Sequence, residues 1–197
     1  MTKPPKTTAA SLKESAIFFK NALLKPKEVG YILPSSRYLI RRIASVAELA
    51  GKKYAVELGP GTGGTTRGFL AALPPDGQLI AIDINRQFIL HLEKDIRDPR
   101  LTLCHDSAER LPEILKENDW PHCDVVISGI PFSTLPNGVG QAVMQAIYDS
   151  LCDGGTFVAY QLRDHVSRLA NPVFGQPVFK KKEVRNFPPM RLFVWQK

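Results

Sequence analysis

The sequence predicts an α/β fold, a mostly parallel sheet with helices on both faces. Three observations predict it. Short apolar runs alternate with amphipathic segments from residue 54 to residue 161. A glycine-rich loop, AVELGPGTGGTT (residues 55–66), joins the first such run to the segment after it. The last two runs, VFKKKEV and MRLFVWQ, are linked only by a Pro-containing loop and read as an antiparallel pair.

The elements follow in order. Residues 1–10 read as disordered. Residues 11–25 read as an amphipathic helix, with Leu12, Ala16, Phe19 and Leu23 on one face and Phe18 and Ala22 widening it. KPKEVGYILPSS breaks that pattern, and Ser35 or Ser36 can cap a second helix running to about Leu49. YAVEL is the first strand. The glycine loop follows, then a helix to about Leu73. QLIAID is the second strand, after the PPDG turn, and a helix spans 86–96. LTLCH is the third strand, with a helix over 108–116. CDVVISGI is the fourth strand, 140–151 a helix, and GGTFVAYQ the fifth strand.

Composition bounds the function. The chain has 197 residues, enough for one domain with a full core, and an ordinary apolar fraction of 44%. It has no apolar run of membrane-spanning length and no h-region of a secretory signal. Three cysteines, Cys104, Cys123 and Cys152, show no CxxC spacing and read as reduced thiols; no Cys, His or carboxylate cluster has metal-ligand spacing. The net charge of +7 is unevenly placed. Residues 1–53 carry eleven Lys/Arg against three Asp/Glu, and residues 180–197 six against one. Basic ends around an acidic middle suggest an anionic partner, nucleic acid or membrane, with a solubilising surface as the alternative.

Gly59, Gly61 and Gly64 satisfy GxGxxG, and Asp83 follows about twenty residues on, as in dinucleotide sites. Glu57, at the strand end, argues against a pyrophosphate, which needs donors and positive potential. It suits S-adenosylmethionine, whose ammonium and sulfonium are cations. The stretch resembles the glycine-rich motif of class I S-adenosylmethionine-dependent methyltransferases, with Glu57, Gly59, Gly61 and Gly63 as its E-x-G-x-G-x-G. That resemblance implies a Rossmann-like seven-stranded sheet with an antiparallel last strand, preceded by N-terminal helices. It also implies that Asp83, with Ile84 beside it, binds the ribose hydroxyls, and that Asp106 with Ser107 or Ala108 binds the adenine edge.

After the fourth strand comes SGIPF, residues 128–132, where amino-group methyltransferases carry N/D-P-P-Y/F. Ser128 replaces the amide or acid, which disfavours an arylamine acceptor. Ser128 with the Gly129 or Ile130 carbonyl can hold an alkylamine, with Phe132 packed on it. Upstream, Phe19, Pro26, Val29, Gly30, Ile32, Pro34, Ser35, Ser36 and Leu39 resemble the N-terminal pattern of bacterial phospholipid N-methyltransferases, and RNFPP (residues 185–189) resembles their late loop. The resemblance implies methylation of phosphatidylethanolamine towards phosphatidylcholine, at the inner face of the cell membrane from the cytoplasmic side. It divides the chain into an N-terminal membrane and substrate segment, 1–50, and a methyltransferase domain, 51–197. It also implies that Ser35 and Ser36 close over the cofactor, although capping would explain them too.

The 11–25 helix, with Lys13, Lys20, Lys25 and Lys27 around it, can lie in a headgroup layer or pack on the core. Arg37, with Arg41 and Arg42, is suited to a lipid phosphate. Tyr31, Phe132, Tyr160, Phe187 and Trp195 are candidates to face a methylated ammonium, each with core packing as the alternative. His105 and His165 are candidate bases, though neither is required. An RNA adenine N6-methyltransferase of the rRNA dimethylase type and a non-catalytic membrane-binding module remain the alternatives.

Overall fold

The computed structural model describes residues 35–197. The helix expected over 11–25, its lysines and Tyr31 lie outside the described residues.

Seven strands form one sheet in the order β3-β2-β1-β4-β5-β7-β6. They are β1 (Tyr54–Leu58), β2 (Gln78–Asp83), β3 (Leu101–His105), β4 (Cys123–Ser128), β5 (Leu151–Gln161), β6 (Phe179–Glu183) and β7 (Met190–Gln196). The first five pair in parallel, and β7 runs antiparallel to both neighbours, β5 and β6. The seven-stranded class I methyltransferase architecture implied by the glycine motif is therefore the architecture present. The strand order reverses between β1 and β4, which opens a crevice beyond their C-terminal ends.

Alternation along the strands builds two cores. Val56, Val126, Phe157, Phe193 and Trp195 face one side, beneath α4 (Leu111–Glu117), α5 (Val139–Ser150) and α6 (His165–Phe174). Ala55, Val125, Ile127, Val158 and Leu192 face the other, beneath α1 (Arg37–Val46) and α2 (Gly64–Ala72). The central strands β1, β2, β4, β5 and β7 are largely apolar on both faces because helices cover both, whereas the edge strands β3 and β6 carry exposed polar residues. The remaining helix, α3 (Arg86–Asp95), packs on β2 and β3.

Ser36 caps α1, its hydroxyl accepting the Leu39 N–H at 3.2 Å. Leu39 and Ile43 are then buried against α2, where Gly68 lets Ile40 approach the helix backbone. Although assigned by sequence to the N-terminal segment, α1 thus contributes to the same core as the sheet. The sequence reading has no counterpart for α6. Asn171 and Pro172 sit inside it, yet Val166, Leu169, Ala170 and Val173 carry the helical apolar spacing. Among the described residues no helix is long and apolar enough to cross a membrane.

Candidate active site

A cavity of about 580 Å³, including its open mouth, lies beyond the C-terminal ends of β1 to β4. Each strand contributes. Gly59 follows β1; Asp83 and Ile84 stand at the end of β2; Asp106, Ser107 and Ala108 follow β3; Ile130 follows β4. The structure therefore brings together seven of the sequence-predicted residues. Leu135, Pro136, Val139 and Val143 close the far wall. Sequence reasoning did not find these four, because nothing in their spacing shows that the start of α5 faces the cavity.

The loop after β1 takes its shape from left-handed glycines. Gly59, Gly61 and Gly63 all have positive φ. At Gly63, the N-cap of α2, a Cβ would also overlap Leu92 of α3. The loop passes close enough to β2 for the Gly61 N–H to donate to Asp83 Oδ2 at 3.4 Å. Asp83 Oδ1 accepts the Asn85 N–H at 2.8 Å.

Two buried acids stand under this loop. Glu57 is fully buried, and one carboxylate oxygen accepts the Thr65 hydroxyl while Oε2 has no partner among the described residues. Burial pushes its pKa up to about 7, with the Asp83 charge adding to the rise. Burial likewise raises Asp83 to about 6 against the lowering pull of the Asn85 and Gly61 N–H groups. A buried acid with an orphaned oxygen and a second acid nearby call for a ligand that carries positive charge and donates hydrogen bonds. The amine of S-adenosylmethionine and its ribose hydroxyls fit this donor set; a pyrophosphate does not.

Asp106 is partly used by the protein. Its Oδ1 accepts the Ser107 N–H at 2.7 Å and its Oδ2 pairs with Arg110 at 2.7 Å. A carboxylate has about four acceptor sites, so one adenine N–H can still be received. Ser107 caps the short 3-10 turn that follows.

A profile of the methyltransferase family described as "Methyltransferase domain" matches residues 56–157. The chain belongs to this family. Its methyl donor is S-adenosylmethionine, which accounts for the acids beneath the methyltransferase glycine loop. Among relatives, the ornithine lipid N-methyltransferase of Singulisphaera acidiphila is 24% identical, over 90% of this chain and 93% of its own length. The ribosomal RNA small subunit methyltransferase A of Acidothermus cellulolyticus is 26% identical over 87% of this chain, which spans 58% of that relative. Among solved structures, TrmN from Thermus thermophilus superposes with a TM-score of 0.65 at 19% identity, covering 93% of this chain and 53% of TrmN. NodS from Bradyrhizobium japonicum WM9, in complex with S-adenosyl-L-homocysteine, gives 0.65 at 12%, covering 95% of this chain and 97% of NodS. These two share the methyltransferase fold.

Other expected residues lie elsewhere. Phe132, expected to pack on an amine, is 2% exposed and belongs to the core beneath α4 to α6. The turn after β4 folds back, so its aromatic points into the protein. Trp195 is fully buried, stacks on Phe157 at 5.3 Å and donates to Asn171 Oδ1. Tyr160 is buried too, and burial raises its pKa. A Cβ on Gly129 would overlap its hydroxyl, so Tyr160 braces the turn. Ser36 serves as helix cap, with its own N–H on Asn186 Oδ1 at 2.8 Å, and neither it nor Ser35 lines the cavity. Arg37 and Phe187 are exposed and do not line it. His105 Nε2 lies 3.1 Å from the Ile84 carbonyl, and His165 is exposed at the start of α6.

One grouping was invisible in the spacing. His122, Asp124 and Cys152 place ligand atoms within 4.8 Å of one another, near the N-terminal ends of β4 and β5. Their separation along the chain hid this proximity. Asp124 Oδ2 there accepts the Lys53 and Tyr54 N–H groups, each at 2.8 Å.

Two results are expected at the cofactor site. Asp83→Ala should weaken S-adenosylmethionine binding at least about a hundredfold, since each hydrogen bond to a charged acceptor is worth roughly 1.5–3 kcal/mol. Calorimetry checks this, and an unchanged Kd would remove Asp83 from the site. Because both acids have raised values, cofactor binding should strengthen as pH rises through about 6 to 7 and should release protons. A pH-independent Kd would contradict it.

Proposed function

We propose that this methyltransferase transfers the methyl group to the nitrogen of an aminolipid headgroup, phosphatidylethanolamine and its methylated derivatives being the expected acceptors. The acceptor turn carries the proposal. Ser128 has no amide or acid, is fully buried, and its hydroxyl accepts the Ile130 N–H at 3.3 Å. The Ile130 carbonyl already accepts from Phe132 N–H at 2.9 Å and Gln161 Nε2 at 2.8 Å. The Pro131 carbonyl accepts from both the Thr134 N–H and its hydroxyl at 2.9 Å. Among the described residues, the Gly129 carbonyl receives no hydrogen bond and is the acceptor left for an incoming N–H.

One neutral carbonyl suits an alkylamine, which needs only deprotonation and aim. An arylamine needs its lone pair drawn from conjugation by a stronger acceptor. S-adenosylmethionine supplies an electrophilic methyl on its sulfonium. This chain's residues supply position: Gly129 orients the amine, while Ile130, Leu135, Pro136, Val139 and Val143 provide apolar walls. A dry pocket favours loss of the ammonium proton, and positioning carries most of the catalysis. The similarity to an ornithine lipid N-methyltransferase, covering 93% of that protein, supports a lipid acceptor. The basic ends of the chain support its meeting that lipid at an anionic membrane, as a peripheral protein.

The similarity to the ribosomal RNA enzyme keeps adenine methylation as the second reading. Incubation with methyl-labelled S-adenosylmethionine, mixed-lipid vesicles and RNA separates them. Label should enter phosphatidylethanolamine or a related aminolipid and leave RNA unlabelled; label in RNA alone would replace the lipid reading with the second.

A further inference from the structure

The β6–β7 hairpin lies on the same edge of the sheet as the cavity. Because β7 runs opposite to β5, Gln161 at the end of β5 pairs with Arg191 near the start of β7, and the tip, residues 184–189, projects from the catalytic edge. The tip stands on a fixed base. Asn186 is 6% exposed, accepts the Ser36 N–H at 2.8 Å and donates to the Pro188 carbonyl at 2.8 Å. Glu183 is buried and held by Arg42 at 2.9 Å and by two nitrogens of Arg185 at 2.9 and 3.0 Å. These bonds hold Glu183 well below the usual carboxylate range, at about 2.

On that base two apolar side chains face solvent, Phe187 at 81% exposure and Val184 at 67%. Cations accompany them. Arg37 and Arg185 both stack on the Tyr38 ring, at 5.0 and 4.6 Å. Arg41 is exposed one turn along α1, and Lys181 and Lys182 are exposed on the edge strand β6. Glu183, the acid of the hairpin, is paired inside the base with Arg42 and Arg185, so the cations beyond that pairing are Arg37, Arg41, Lys181 and Lys182. A large exposed aromatic on a braced turn, with exposed cations on the elements that carry and brace it, complements an anionic bilayer: the aromatic enters the headgroup boundary and the cations meet phosphates.

We propose that the 184–189 tip is a membrane-docking element that seats the catalytic edge on an anionic bilayer. Phe187 and Val184 enter the interface, and Arg37 and Arg41 rest on lipid phosphates. The proposal rests on the aminolipid reading only for its purpose, bringing the cavity mouth to headgroups.

The full chain, its Phe187→Ser variant and its Arg41→Glu variant would be floated with vesicles of phosphatidylcholine alone or mixed with phosphatidylglycerol. Wild type should bind the mixed vesicles, and each variant should bind them roughly tenfold more weakly. An unchanged thermal shift with S-adenosylmethionine would show that the variants are folded. Phe187→Trp should blue-shift its emission on mixed vesicles, above the constant background of buried Trp120 and Trp195. Wild-type flotation by Phe187→Ser together with an unshifted Phe187→Trp spectrum would overturn the docking tip. So would a spectral response to RNA but not to vesicles. Loss of vesicle binding in the variants, from an enzyme that labels no lipid, would uphold the tip and overturn the substrate reading instead.

Discussion

Glu57→Gln is expected to raise the melting temperature of the cofactor-free protein at pH 8 by several degrees while removing most of its response to S-adenosylmethionine. The two effects share one cause. Glu57 is fully buried, and burial lifts its pKa to about 7. Ionising it at pH 8 therefore costs the cofactor-free fold on the order of 3 kcal/mol. The folded protein holds the proton that the unfolded chain releases, so this stability is present below about pH 4.5 and is lost as pH rises to about 7. The glutamine stays neutral and avoids that loss, but it no longer offers a charge to the cofactor's ammonium. Melting curves across pH, with and without cofactor, test both halves. A variant that melts lower at pH 8, or keeps the full cofactor shift, would refute this account of the site.

Phe132→Ala is expected to act on the fold more than on the chemistry. The ring is 2% exposed within the core cluster that includes Val143, Ala146 and Phe157. Truncating a buried phenylalanine costs about 3–5 kcal/mol, which for a chain of this size lowers the melting temperature on the order of 10 °C. Phe132→Leu should recover much of that. Turnover measured well below the melting transition should fall far less than stability does. The opposite pattern, unchanged melting with lost turnover, would return the ring to the substrate as the sequence motif implies.

The parts of the site that were legible in the sequence are those made by one strand end at a time. Glu57, Asp83 and Asp106 can be placed because each follows an apolar run that must be a strand, and parallel strands deliver their C-terminal ends to one edge. The side to which a turn residue points is not local. Phe132 turns inward, and the Ile130 carbonyl is taken by Gln161, thirty-one residues away. These are outcomes of β4 lying beside β5. Similarly, α6 carried the right apolar spacing in Val166, Leu169, Ala170 and Val173, but Pro172 in its last turn disguised it. The cluster of His122, Asp124 and Cys152 forms only when β4 and β5 align.

The reversed direction of β7 also divides the molecule into two ends that can be addressed separately. Gln196 pairs with Thr156, five register steps from the Gln161–Arg191 pair at the catalytic edge, or about 17 Å along the strand. Gln196 is exposed there, beside Gly154. A spin label or surface tether attached at that position would therefore leave the cavity and the hairpin tip facing away from it. In a supported-bilayer experiment the label would report on the orientation of the bound molecule without taking part in its binding.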